Sequence, residues 1–460
     1  MDFDSNIRVA HHCPFCGGPV ILEKEEIIAQ CSNCGSMLRL IPPEGIESYI
    51  IDSDLARREA IFFLERELKR NKQPLIKKRG EIFQLHLPFY RVIGKVFDFQ
   101  RRIEEYKNVS DDGREYVSRI ENQDSRLRQK EMSFASFDST VFGLDSLGVR
   151  TQILQLSPLT PRHARNKIFL RPAFNLDYAL TRYEKSIDSI YTGMGKKAKQ
   201  RFSKALCPAV CIVYLPVWVI NYSNDLGLMY AVIDCASERI VKNEKGELGK
   251  NSEDYDESVE GTVFKLVAHR CNNCGFDLPH QKKGEIFACG NCGRHYHARG
   301  EKYEDRIINL PRGEFAGSGL FPFWMFRLAK TDSSTILKSK LGMNSSTVFI
   351  PAFEIRNLKR AARLSLSLSN AIDEIDFDKC ERSDYNFRAA NLGFRDASGL
   401  VLPYLLAGRD NLGHLNLEEL WRLYLEFDEK CLVWLPFYEE GYFYRGHMAG
   451  QGFEKAALVT

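Results

Sequence analysis

Apolar residues recur along this chain with two periods. Leu55, Ile61, Leu64 and Leu68 fall on one helical stripe ahead of Pro74, with Glu65 four residues before Lys69, so the pattern predicts an amphipathic helix from Asp54 to Asn71. Leu176, Leu180, Tyr183, Ile187 and Ile190 repeat near the helical period behind Asn175, a capping residue, and stop at Gly193. Other stretches read as strands. Trp218 to Tyr222 and Leu228 to Asp234 flank Ser223 to Gly227, whose residues suit a turn, and predict a hairpin. Pro436 is likewise followed by Glu439-Glu440-Gly441-Tyr442-Phe443-Tyr444. The expected fold class is α+β.

A word with an apolar-Pro-apolar-aromatic core recurs four times: Leu87-Pro88-Phe89-Tyr90, Leu215-Pro216-Val217-Trp218, Phe321-Pro322-Phe323-Trp324 and Leu435-Pro436-Phe437-Tyr438. A sister word, Pro-Ala-Phe, occurs at Pro172-Ala173-Phe174 and at Pro351-Ala352-Phe353. Their order predicts an internal duplication, residues 1 to 245 against 263 to 460, with a charged insertion at about 100 to 135 accommodated as a surface loop. Proline lacks the ladder donor, so each copy is expected at a strand start, an edge or a bulge. Residues 243 to 261 carry Glu253, Asp254, Asp256, Glu257 and Glu260 and read as an exposed linker. The expected division is a ribbon at 1–42, a module at 43–245, an acidic linker at 246–262, a second ribbon at 263–300 and a second module at 301–460. Each half is expected to be a four-cysteine ribbon followed by an antiparallel β-rich module with a few amphipathic helices.

At 460 residues the chain is long enough for about three domains or two large ones. Its 44% hydrophobic and 27% charged residues exclude wholesale disorder, and a net charge of +3 gives no global field for nucleic acid or anionic membrane. The opening residues show no secretory or transit signal, so a cytoplasmic location is expected. Ala205 to Asn224 is uncharged over a membrane-spanning length, but Pro208, Pro216 and its β-branched residues favour a strand over a buried helix. Integral membrane insertion is not expected; the run Lys196 to Arg201 leaves peripheral contact as an alternative.

Thirteen cysteines change the picture. Cys13, Cys16, Cys31 and Cys34 form C-x2-C-x14-C-x2-C, and Cys271, Cys274, Cys289 and Cys292 repeat it with every member shifted by 258 positions. A two-residue gap lets two thiolates converge on one tetrahedral Zn2+, and glycine follows each second cysteine at Gly17, Gly35, Gly275 and Gly293, where a tight turn frees N–H groups for sulfur. The arms between pairs are expected to be hairpins, Val20 to Leu22 leading out and Ile27 and Ile28 back, with Ile286 and Phe287 in the matching place. Two closed structural zinc sites fit better than redox dithiols, an iron–sulfur cluster or a deaminase-type zinc. His11, His12, His295 and His297 are expected to be solvated or to lie behind the ligands; Cys207, Cys211, Cys235, Cys380 and Cys431 read as core thiols.

No phosphate loop, H-E-x-x-H or G-x-S-x-G motif is present; Gly193 to Lys196 lacks the rest of a phosphate loop, and Asp373 and Glu374 lie in ordinary charged surroundings. The first ribbon, His11 to Leu40, has a net charge of minus one; the second, His269 to Arg299, has plus three from Arg270, Lys282, Lys283, Arg294 and Arg299 against Asp277 and Glu285. With Lys77-Lys78-Arg79 and the Arg356 to Arg363 cluster, this keeps nucleic-acid binding as an alternative. The knuckles and the hairpins at Leu215 and Leu435 resemble uncharacterised prokaryotic zinc-ribbon proteins of transcription-factor-like or primosomal-helicase-like type. The resemblance covers about a quarter of the chain and implies a ribbon joined to β-rich modules, carrying over the eight cysteine ligands. The expectation is a non-enzymatic zinc-binding scaffold that binds other proteins within a cytoplasmic assembly.

Overall fold

The computed structural model describes residues 9–22, 27–41, 46–109, 112–148, 150, 156–192, 198–249, 254–256, 265–280, 284–313, 315, 318–372, 376–381, 386–409, 412, 415–448, 450 and 452–458. The chain is mixed α+β and rich in β structure, and it divides into two compact units. One comprises 1–93, 131–185 and 208–268; the other comprises 94–130, 186–207 and 269–460.

The first unit opens with two short hairpins, β1 (Val9–His12) with β2 (Pro19–Leu22), and β3 (Ile28–Gln30) with β4 (Met37–Ile41). A larger sheet follows, built on β5 (Ser48–Ile51), β6 (Lys78–Val109), β7 (Glu115–Ala135), β8 (Leu156–Pro158), β9 (Ile168–Leu170), β10 (Ala198–Asn224), β11 (Gly227–Asp234), β12 (Arg239–Lys245) and β13 (Tyr255–Asp256), the parts of β6, β7 and β10 within 94–130 and 198–207 being counted with the other unit. Its main path is β12-β11-β10-β6-β9-β13, with β5 parallel to β10 and β8 antiparallel to β5. Alternation decides what each face buries. Phe83, Leu85, Leu87 and Phe89 of β6 share a core with Val213, Leu215, Val217 and Val219 of β10. Ile220, Tyr222, Ala231 and Ile233 turn the other way, against Ala60, Leu64 and Leu68. Those three belong to the helix Arg57–Arg70, which lies within the span expected for it. The helix Leu176–Thr192 also forms where its period placed it, with Asn175 Oδ1 accepting from Tyr178 N at 3.0 Å. The β10–β11 hairpin closes through Asp225-Leu226, since Asn224 pairs with Gly227.

Two segments expected to lie apart from the sheets are drawn into them. Lys265–Ala268 forms β14, which pairs with β4, so a segment assigned to the second ribbon supplies the third strand of the first. Within the acidic linker, Tyr255 pairs with Leu170, and Leu248 exchanges hydrogen bonds with the Asn221 side chain at 2.8 and 2.9 Å.

The second unit begins with β15 (Ile286–Ala288), β16 (His295–Arg299) and β17 (Lys302–Asp305) as one small sheet. The larger sheet uses β18 (Ile308–Pro311), β19 (Gly319–Leu328), β20 (Thr347–Pro351), β21 (Phe377–Cys380), β22 (Asn386–Phe387), β23 (Phe427–Glu440) and β24 (Phe443–Gly446), in the order β20-β19-β23-β18-β21. Phe321, Phe323 and Met325 pack with Val433, Leu435, Phe437 and with Leu364 and Leu368 of the helix Leu358–Ala371. On the opposite face, Leu320, Leu432 and Trp434 meet Ile286 of the small sheet. The 100–135 insertion is β structure, not a loop. Asn108 Nδ2 donates to Ser118 Oγ at 2.6 Å and Arg119 pairs with Glu105 at 2.9 Å, so its charges offset one another across paired strands.

All four repeated prolines lie inside long strands, which corrects the expectation of strand starts, edges or bulges. Pro88, Pro216, Pro322 and Pro436 accept backbone bonds from Ser136 (3.2 Å), Cys235 (3.1 Å), Ala352 (2.9 Å) and His447 (3.2 Å). Each donor is the first residue beyond the end of a neighbouring strand, β7, β11, β20 or β24. A missing N–H costs nothing where the neighbour has already left the ladder.

The same connections occur in both units. A strand following the cysteine region runs parallel to the hairpin strand, Tyr49 opposite Val213 and Asn309 opposite Val433. A short strand runs parallel to the first Pro-Phe strand, Phe169 opposite His86 and Phe387 opposite Leu320. Tyr90 Oη donates to Phe174 O at 3.0 Å, and Trp324 Nε1 donates to Leu392 O at 2.7 Å. Each acceptor stands two residues before a helix, Leu176–Thr192 or Phe394–Ala407. Pro351-Ala352-Phe353 therefore does not take the place of Pro172-Ala173-Phe174. Ala352 stands where Ser136 stands: each donates to the proline carbonyl, and each accepts from the chain entering the helix, Ala173 N at 2.7 Å and Asn391 N at 2.8 Å.

Candidate metal centres

Each CxxC pair occupies one turn of the same design. Cys13 N donates to Gly18 O at 2.8 Å and Gly17 N to Cys13 O at 2.9 Å. The pattern repeats from Cys31 N to Ser36 O (2.9 Å), Cys271 N to Phe276 O (2.8 Å) and Cys289 N to Arg294 O (2.8 Å). The second bond in each turn comes from Gly35, Gly275 or Gly293. These glycines and Gly17 have φ between 70° and 74°, a left-handed conformation that a Cβ disfavours, which accounts for glycine after every second cysteine.

The turns, and not the arms, form the hairpins. Cys13 to Cys16 joins β1 to β2, Cys31 to Cys34 joins β3 to β4, and Cys289 to Cys292 joins β15 to β16, whereas β2 and β3 lie in separate sheets among the described residues. Pairing the strands that flank a knuckle holds its backbone independently of the other pair of cysteines.

The sulfurs converge as tetrahedral coordination requires. Within each quartet all four lie within 4.8 Å of one another. Cys13 to Cys34 and Cys16 to Cys31 are both 3.7 Å; Cys271 to Cys292 is 3.6 Å and Cys274 to Cys289 is 3.5 Å. Four ligands about 2.3 Å from a central Zn2+ stand roughly 3.8 Å apart, so the donor set fits one thiophilic tetrahedral ion in each quartet with no position left for water. One thiol of each diagonal is buried and the other reaches the surface.

Polar neighbours divide the thiols in acidity. The Ser36 hydroxyl beside Cys34 lowers it to about 6, and the Asn291 side chain lowers Cys274 to about 6. Asn33, which stands 258 positions before Asn291, lowers Cys16 in the same way. Burial pushes Cys13 up to about 11 and Cys289 up to about 12. A bound cation must displace those protons, so binding is opposed as pH falls. Sequence reasoning missed Asn33 and Asn291, although their position inside the second CxxC of each quartet is visible once the quartets are aligned.

The histidines divide. His12 is exposed, with Nδ1 3.3 Å from Gly17 O. His295 is fully buried against Phe387 at 5.0 Å and is pushed down to about 4 by that burial, so it is not a solvated side chain. His297 is half-buried, and the side chain of His11 lies outside the described residues. Cys211 and Cys235 are buried as expected of core thiols, Cys380 and Cys431 only half so, and the Cys207 side chain lies outside the described residues.

The cations proposed for phosphate contact are largely committed. Arg270 pairs with Asp277 at 2.8 Å, Arg294 with Asp305 at 3.4 Å and Arg299 with Glu304 at 3.6 Å. In the Arg356 to Arg363 cluster, Arg360 pairs with Glu454, and in the basic run at 77–79, Lys77 pairs with Asp225 and Arg79 with Glu65. Lys282, Lys283, Lys196, Asp373 and Glu374 lie outside the described residues. No described helix is long and apolar enough to cross a membrane, and Ala205 to Asn224 is part of β10.

The two quartets, each in a ribbon-like set of knuckles, are two four-cysteine clusters able to hold a metal ion. No protein-family model, curated protein or solved structure matches the chain.

Proposed function

We propose that the chain is a non-enzymatic scaffold holding two structural zinc ions and binding other proteins. The observation that carries this reading is the pair of closed four-sulfur clusters on four knuckles of one design. A full set of thiolates leaves no open position for substrate, and its contribution is rigidity. Structural zinc supplies on the order of 10 kcal/mol or more of folding free energy, so a small ribbon can hold a fixed surface without a large core.

Among the described residues, the knuckles and hairpin turns present exposed apolar side chains. Phe15 and Phe276 are more than half exposed on the knuckles, and Leu226 and Tyr442 are exposed at the turns of the two Pro-aromatic hairpins. Aromatic and aliphatic groups at rigid turns suit contact with another protein, and Arg270, Arg294 and Arg299 of the second ribbon each face a carboxylate that a phosphate would have to displace. The matching connections of the two units support an internal duplication, each half carrying a ribbon ahead of a β-rich module. A cytoplasmic setting belongs to this reading because eight thiolates held for metal suit a reducing compartment.

The test is elemental analysis of the purified full chain, followed by co-purification with the tagged chain and with a Phe15→Ser, Phe276→Ser variant. Two zinc ions per chain and a partner lost from the variant are expected. Oligonucleotide affinity that falls steeply with salt, with no such partner, would replace the protein-binding reading by nucleic-acid binding; sedimentation with anionic vesicles would replace it by membrane contact.

A further inference from the structure

The shift of 258 positions preserves the cysteines but not what touches them. Tyr296 is fully buried, and its hydroxyl lies 3.2 Å from Cys271 Sγ. The position 258 residues earlier is Leu38, which has no donor. The Asn273 side chain donates to Cys292, and its counterpart is Phe15. Asn33 on Cys16 is matched by Asn291 on Cys274, and the first quartet adds one side-chain partner of its own, Ser36, whose Oγ is 3.4 Å from Cys34 Sγ. Exposure differs in the same direction by one sulfur: Cys16 and Cys34 are both exposed, whereas in the second quartet Cys274 is exposed and Cys292 only half so.

The surroundings differ as well. Around the second quartet, Phe287, Tyr296 and Tyr303 form a buried aromatic group, with the His269 ring edge-on to Phe287 at 4.7 Å. Ile286 anchors that ribbon in a larger core. The first ribbon relies on Val20, Ala29 and Leu38 between its own cysteines, with Leu40 and Leu266 half-buried beside them. A hydroxyl or amide N–H on a thiolate draws charge from it and lowers its nucleophilicity, and burial keeps oxidants out. The second quartet has three such side-chain partners, on Cys271, Cys274 and Cys292, against two at the first, on Cys16 and Cys34, and one fewer exposed sulfur.

We propose that the first quartet is a redox-sensitive zinc site, opened by a hydroperoxide that joins Cys16 to Cys34, while the second is a permanent zinc site. The inference rests on the zinc reading above. One exposed thiolate attacks the peroxide, its sulfur forming the S–O bond of a sulfenic acid as the O–O bond breaks and an alkoxide or hydroxide leaves. The other exposed thiolate then attacks that sulfur, forming the S–S bond and expelling hydroxide. The two sulfurs together give up two electrons, the peroxide is reduced to alcohol or water after taking up two protons, and the zinc ion, left with two thiolates, departs. The first ribbon then keeps only its small aliphatic core.

The experiment treats the full zinc-loaded chain with hydrogen peroxide and follows metal release with a chromophoric chelator, mapping oxidised cysteines by alkylation and mass spectrometry. One zinc ion is expected to leave in a fast phase, with a Cys16–Cys34 disulfide, and the second roughly tenfold more slowly. Tyr296→Phe should speed only the slow phase, and Asn273→Phe gives a second, surface variant with the same expectation if the first fails to fold. Release of both ions at one rate, or oxidation of Cys274 and Cys292 first, overturns the proposal and leaves the zinc reading standing. Fewer than two zinc ions per chain before peroxide is added overturns the zinc reading itself, and the proposal with it.

Discussion

Removing metal from the first ribbon should release a strand that lies more than two hundred residues further along the chain. β14 has β4 as its partner and stands at the end of a three-stranded sheet in the order β14-β4-β3. Its register sets Lys265 opposite Ile41 and Ala268 opposite Leu38, and Leu266 packs against the ribbon's core. The ribbon buries Val20, Ala29 and Leu38 between its cysteines and Ile28, Met37 and Ile41 on β3 and β4. At about 1.5–3 kcal/mol for each buried Val, Leu, Ile or Met and less for Ala, they supply on the order of 10 kcal/mol before the entropy of ordering the chain is subtracted. A structural zinc ion supplies about 10–16 kcal/mol, at least as much again. Without the ion, β3, β4 and β14 should lose their order together. The main sheet of the same unit should not, because the core that joins β6 to β10 has no metal in it. Hydrogen exchange read by mass spectrometry checks this on peptides spanning 27–41, 265–268 and, as control, 215–222. On chelation the first two should lose protection in step while the third keeps it. Continued protection of 265–268 after 27–41 has opened would refute the coupling.

Two further outcomes follow from particular contacts. Tyr90→Phe removes only the hydrogen bond to the carbonyl that precedes a helix and should cost about 1 kcal/mol in urea unfolding, whereas Trp324→Phe removes the matching bond and also part of a ring packed against Phe326 and Phe394, so it should cost more; no cost at Tyr90→Phe would contradict the contact. His86 is buried against Phe169, its Nδ1 3.1 Å from Ile168 O, and burial pushes it down from 6.5 to about 4. The unfolded chain binds that proton more tightly, so the stability His86 contributes is whole above pH 6.5 and is lost as pH falls toward 4, up to roughly 3 kcal/mol. Unfolding measured between pH 7 and 4.5 should flatten by that amount in His86→Gln; an unchanged slope would remove the assignment.

The parts of the molecule legible in the sequence are those in which side chains do the work. The convergence of the eight cysteines in two quartets and the four glycines were readable because each is the residue type its position requires: a thiol where four sulfurs meet, and a left-handed turn after it. Both amphipathic helices were readable from one apolar stripe each. The third strand of the first ribbon was not, since Lys-Leu-Val-Ala carries no mark of which sheet edge it will join. Nor was the extended arm of β6 and β7, whose charge suggested a loop; in pairs such as Arg119 with Glu105 that charge lies across neighbouring strands.

The sister word failed for a related reason. Pro-Ala-Phe occurs twice, yet the positions that match in space are Phe174 and Leu392, whose side chains have nothing in common. What they share is a backbone carbonyl two residues before a helix, accepting from Tyr90 or from Trp324. Any residue can supply such a carbonyl, so selection for the contact leaves its trace on the donor, not on the acceptor. The Pro-aromatic word kept its meaning because both of its marked members are constrained. Proline is tolerated where the neighbouring strand has ended, and in three of the four copies the ring two residues on carries an N–H or O–H that reaches a backbone carbonyl. At Tyr90 and Trp324 that second requirement is met by different side chains, which is why the word is recognised by its chemistry and not by its letters.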